Sequence, residues 1–204
     1  MIGLLAKKVG MTQLFGEKGD VRPVTLLETG PCYVIQKKNQ KSDGYDAIQI
    51  GYEPKKKSNR PLAGHFKKAN LPVLRELKEI RVKNVEEYQV GQELKVDIFA
   101  AGDWVDVVGF TRGRGFAGGM KRWGWVGGPA THGSMSHRRI GSVGCTTSPG
   151  RVLRGKHLPG HYGDEQVTVK NLKVVRVDGA KNLLFVSGAV PGPRNGILFI
   201  RKKQ

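Results

Sequence analysis

Acidic residues are scarce in this chain of 204 residues: 17 Asp plus Glu stand against 35 Lys plus Arg, a formal net charge of +18. So large an excess repels itself unless a polyanion neutralises it, which points toward nucleic acid or an anionic membrane surface. Long apolar runs are missing too. Nothing approaches about 18 consecutive apolar residues, so no helical membrane span is expected. The first fifteen residues lack the pattern of a secretory or transit leader. Only two cysteines occur, Cys32 and Cys145. A disulfide framework is therefore not expected, and a soluble protein of a reducing compartment is.

The shortage of acids is concentrated. From Val107 to Gly163, a run of 57 residues, there is no Asp or Glu, where the chain average would place about five. The same run carries Arg112, Arg114, Lys121, Arg122, Arg138, Arg139, Arg151, Arg154 and Lys156, four of the five histidines and 15 of the 29 glycines. It has only eight Val, Ile or Leu and no sustained period of either regular element. Ordering each backbone residue costs roughly 1–2 kcal/mol, and so little apolar surface cannot offset that sum. A long irregular extension that takes its order from a polyanion is expected.

The flanks read as β-structure. Val21 to Glu28, Cys32 to Lys38, Tyr45 to Tyr52 and Gln92 to Phe99 precede the run; Gln166 to Asp178, Asn182 to Val190 and Gly196 to Lys202 follow it. They are rich in β-branched or aromatic residues and are separated by turn dipeptides such as Gly30-Pro31, Asp43-Gly44 and Asp178-Gly179. Short strands at this spacing suggest a β-barrel built from the two ends of the chain, residues 1–53, 91–108 and 164–204. Residues 54–90 are more charged and are expected to form a small mixed α/β insertion, in which Pro72 to Arg81 suits helix and strand equally. The acid-free run between the flanks is expected to form the extension.

Other chemistries fit poorly. Gly113 to Gly118 spells GxGxxG, but the next acid is Asp164, far beyond the ribose-binding distance, and Gly124, Gly127, Gly128 and Pro129 forbid a long helix. His132 and His137, or His157 and His161, would need Cys145 to complete a tetrahedral metal site with no carboxylate at hand. No acid in the run can orient a catalytic histidine. No catalytic residue, metal or cofactor is expected. Nucleic acid uses all the features together: arginine forks and lysines for phosphates, glycines for close backbone approach, and Phe110, Phe116, Trp123, Trp125 and Tyr162 for stacking on bases. A nucleic-acid chaperone, a DNA-binding architectural module and, from another class, a dinucleotide-using enzyme are the competing readings.

The motifs resemble one family nearly end to end. Gly10-Met11-Thr12, Pro23-Val24-Thr25, Asp43-Gly44-Tyr45 and Gly64-His65-Phe66 lead to GRGFAGGMKRW at Gly113 to Trp123. Thr131-His132-Gly133, Ser136-His137-Arg138, Gly141-Ser142, Pro149-Gly150-Arg151-Val152 and Gly155-Lys156 follow in order. This is similar to ribosomal protein L-three of the large subunit, in its bacterial or organellar form. The resemblance implies a mainly β fold, a translation-factor-like barrel with a long central extension, and a structural role without enzymatic activity. It implies contact with 23S-type rRNA near its 3′ end and with neighbouring ribosomal proteins, early in subunit assembly. It implies no membrane and no small-molecule substrate, and a cytoplasmic or organellar ribosome.

The resemblance places the extension at 109–163, and its acid-free, aromatic-interleaved composition makes Arg112, Arg114, Phe116, Lys121, Arg122, Trp123, His132, His137, Arg138, Arg139, Arg151, Arg154 and Lys156 the expected rRNA-binding residues. The apex of the extension, directed toward the peptidyl transferase centre, is Cys145, Thr146, Thr147 and Ser148. Phe110, Trp125 and Thr147 depart from the family's commoner residues, and Thr147 stands where some members carry a methylated glutamine.

Overall fold

A computed structural model of the chain describes residues 3–16 and 19–203. Two compact units emerge, one from Met1–Thr111 with Gln166–Gln204 and the other from Arg112–Glu165. In the first unit the chain forms β1 (Gly3–Phe15), β2 (Val21–Thr29), β3 (Cys32–Lys38), α1 (Gln40–Asp43), β4 (Ala47–Pro54), α2 (Arg60–Lys67), β5 (Leu74–Arg81), β6 (Glu93–Leu94) and β7 (Trp104–Phe110). The second unit holds β8 (Phe116–Ala117), α3 (Gly119–Trp123) and β9 (Gly160–His161). Back in the first come β10 (Gln166–Asp178), β11 (Leu183–Ser187) and β12 (Ile197–Lys202). The fold is mainly β.

Six strands close a barrel in the order β1-β12-β7-β10-β11-β2, every neighbouring pair antiparallel. Alternation explains it. Val105 and Val107 on β7, Leu184 and Val186 on β11, and Leu198 and Ile200 on β12 are buried, while the residues between them reach the surface to varying degrees. Ile200 lies opposite Leu4 on one side and Val107 on the other, a row across the barrel. Each such side chain contributes roughly 1.5–3 kcal/mol by leaving water. The two buried hydroxyls are satisfied: Thr25 Oγ1 donates to Gly188 O at 2.6 Å and Thr29 Oγ1 to Asn182 O at 3.3 Å.

Two of the three regions assigned to the barrel need correction. Residues 32–54 do not join it: β3 and β4 form a separate sheet in the order β5-β4-β3-β6. The reason is that a strand has two edges. β2 already pairs with β1 and β11, and closure leaves no edge for β3, which pairs with β4 instead. β5 comes from within the charged stretch 54–90 and is a strand, the outcome that Pro72 to Arg81 left open. Gln92 to Phe99 is strand only at β6; Phe99 N–H returns to Val96 O at 2.9 Å, and this local turn replaces a ladder bond.

Strand β1 carried no clear strand pattern, because Leu4, Leu5 and Ala6 are buried in succession. Both faces are covered: Leu4 and Leu5 share one core with barrel residues such as Ile200 and with Ile48, Ile50 and Ile80 of the second sheet. Polar contacts clasp the same junction. Lys7 Nζ donates to Glu53 Oε1 at 3.0 Å, and Arg75 Nη1 reaches Glu53 Oε2 at 3.2 Å. Helix α2, with proline in its first turn, buries Phe66 against Ile35 and Leu74.

Candidate nucleic-acid interface

The second unit is an out-and-back loop pinned at its base. Phe116 pairs with His161 and Ala117 with Gly160, and the ladder is extended by Arg114 N–H to Tyr162 O at 2.8 Å and Tyr162 N–H to Gly115 O at 3.0 Å. Gly163, at φ +76°, occurs where a Cβ would strike the Arg112 carbonyl. Above the ladder, α3 ends on Gly124 in the left-handed conformation. Gly119 opens α3, and Trp125 lies where its side chain would be.

One carbonyl gathers the two arms. Leu158 O accepts from Arg122 Nη1 and from Trp123 Nε1, each at 2.9 Å. Trp123 stacks flat on His157, and the Arg122 guanidinium sits 4.9 Å from the Trp123 ring centroid. These contacts join residues some 35 positions apart, so no local sequence pattern announces them. Leu158, acting through its backbone, was not legible as a functional position.

Of the thirteen residues expected to meet RNA, Arg112, Arg114, Phe116, Lys121, Trp123, His132, His137, Arg138, Arg139, Arg151, Arg154 and Lys156 are exposed. Arg122 alone is partly covered, by the contacts just described. Phe116 is 72 % exposed, and its ring meets His161 edge-on. Cys145, Thr146, Thr147 and Ser148, expected at the apex, are exposed as well. The loop brings Arg139, Lys156 and His157 to one open cleft of about 650 Å³ with Trp125, Gly127 and Ser136. It does not bring the histidines together as a cluster: His157 goes to Trp123 and His161 to Phe116. Among the described residues no group of three or more potential metal ligands forms.

The electrostatics are one-sided. Among the described residues the ion pairs all join side chains of the first unit, among them Lys38–Glu79 at 2.8 Å and Lys202–Asp103 at 2.6 Å. None of these ion pairs includes a base of 112–156. Gly113 to Gly118 runs through the two-residue β8 into a five-residue helix, not the long helix of a dinucleotide fold.

A closed antiparallel barrel with an exposed, basic loop inserted between two of its strands defines the class: a β-barrel protein with a basic insertion. Residues 68–183, over half the chain, match the family model described as Ribosomal protein L3, and the chain belongs to that family. It is 57 % identical to the large ribosomal subunit protein uL3 of Pelotomaculum thermopropionicum over 202 residues, 98 % of this chain and 96 % of that protein. The uL3 proteins of Thermosipho africanus (53 % identical; 97 % and 96 % covered) and Thermotoga maritima (52 %; 98 % and 97 %) are similar along the same length.

Proposed function

We propose that the chain is a structural, non-enzymatic constituent of the large ribosomal subunit that binds 23S-type rRNA through its basic loop, residues 109–163. The single observation that supports this most is the pairing pattern: among the described residues, the ion pairs join side chains of the first unit and take up none of the bases of 112–156, which suits an external anion. The names of the relatives, large ribosomal subunit protein uL3, support the choice of anion. Arg112, Arg114, Lys121, Arg122, Arg138, Arg139, Arg151, Arg154 and Lys156 hold phosphates, and Phe116, Trp123, His132 and His137 offer rings to unpaired bases. The resemblance in motif order supports the finer placement: binding near the rRNA 3′ end early in assembly, beside other ribosomal proteins, with Cys145 to Ser148 leading toward the peptidyl transferase centre of a cytoplasmic ribosome.

Nine phosphate contacts give a salt slope of roughly −6 to −8 in log affinity against log salt. The test is sedimentation: the tagged chain is expected in large-subunit particles and to stay there through a high-salt wash. Recovery in the soluble pool, with equal affinity for rRNA fragments and duplex DNA, would overturn the proposal.

A further inference from the structure

On residues outside the loop, the barrel surface carries an exposed indole. Trp104 opens β7 and is 51 % exposed. It lies opposite Lys173 on β10, so the two side chains share a face. On its other flank Lys203 N–H donates to Trp104 O at 2.9 Å, which sets the Lys203 side chain in the same row.

The surroundings are built, not accidental. The β10 register slips between Val169 and Leu172, so that Lys170 and Asn171 bulge opposite Asp106. Asn171 takes φ 57°, its N–H donates to Asp106 Oδ1 at 3.0 Å, and its Oδ1 accepts from Lys203 Nζ at 2.7 Å. The result is an open hollow of about 570 Å³ lined by Gly102, Asp103, Trp104, Asn171 and Lys203, within the size of small-ligand sites. Both nearby carboxylates are occupied. Asp103 is held by Lys202 Nζ at 2.6 Å and by Ala100 N–H at 2.8 Å, and Asp106 faces Arg201 and Asn171. Among the described residues no ion pair takes up Lys173.

We propose that this hollow is a second RNA-binding site, one that stacks a single unpaired nucleobase on Trp104 and holds its flanking phosphates with Lys173 and Lys203. An aromatic face between two lysines, with the local acids neutralised internally, has the chemistry of single-strand recognition. An acidic peptide would use the lysines but not the indole face. The site extends the rRNA-binding reading to the barrel, on residues that the loop does not contain.

The chain has three tryptophans, so Trp104 is the sole indole in a Trp123→Phe, Trp125→Phe background. A uridine octamer at low salt is expected to quench its emission, with a matched RNA duplex far less effective. Lys173→Glu with Lys203→Glu, checked for an unchanged melting transition, is expected to move the midpoint at least tenfold. Quenching by duplex or by polyglutamate as strong as by the octamer overturns the site. So does emission that RNA leaves unmoved while the chain still enters large particles, a result that leaves the loop's role standing.

Discussion

Trp123 and His157 stack with ring centroids 4.1 Å apart and planes 6° from parallel, holding the outgoing arm of the loop to the returning one. The indole is therefore partly spent inside the protein. It nevertheless stays 42 % exposed, so packing within the loop leaves part of the indole accessible.

Trp123→Ala removes the stack and the Nε1 bond to Leu158 O together. An aromatic pair contributes about 0.5–1.5 kcal/mol beyond its buried area. Amide exchange is expected to accelerate around residues 157–161 while the barrel's melting transition stays put, and hydrogen-exchange mass spectrometry reads both.

Arg114→Glu reverses an exposed charge whose guanidinium lies 5.9 Å from the Tyr162 ring. RNA affinity is expected to fall across all sequences, and the salt slope to shrink by about one unit. Arg122→Glu should cost more at equal salt, because it also breaks the bond to Leu158 O. Filter binding at several salt concentrations separates the two.

Ile200→Ala tests the barrel. The side chain is fully buried between Leu4 and Val107, and such truncations cost about 2–5 kcal/mol. Denaturant titration followed by far-ultraviolet circular dichroism should show a lower midpoint with an unchanged slope.

Glu53 bears on pH. The Lys7 ammonium bonded to its carboxylate, aided by Arg75, holds its pKa below the ordinary glutamate range. A folded-state value lower than the unfolded one means that this contribution is complete above pH ~4.5 and is lost as pH falls through the lowered value. Glu53→Gln is expected to flatten the acid side of the stability curve in that window and to leave the alkaline side alone.

The two cysteines should behave oppositely. Burial pushes the Cys32 thiol up to about 12, although Leu5 O accepts its hydrogen at 3.5 Å, whereas Cys145 is exposed in the loop. A thiol reagent is expected to label one cysteine in the native chain and the second only after denaturation. Bound rRNA should slow the first.

How much of this could be read in advance depended on range. Leu184, Val186, Leu198 and Ile200 announce their strands because alternation is a property of near neighbours. Leu74, Leu77 and Ile80 sit three apart, a helical spacing, while Leu74 and Ile80 six apart also fit one strand face, and only pairing of β5 with β4 decides. Leu4 to Ala6 misled because burial on both faces erases alternation. The basic residues of the interface were plain from composition. Their arrangement was not: it hangs on the Leu158 carbonyl, a group every residue possesses.

The barrel's closing seam joins Gly3 to Arg201 and Leu5 to Phe199. During synthesis β1 and β7 must wait for almost the whole polypeptide to leave the exit tunnel before β12 can slot between them. Until then both expose raw ladder edges, open to strangers. A nascent chain of this design has reason to be met promptly by a chaperone, and any early stop that deletes β12 should send it to aggregates rather than to ribosomes.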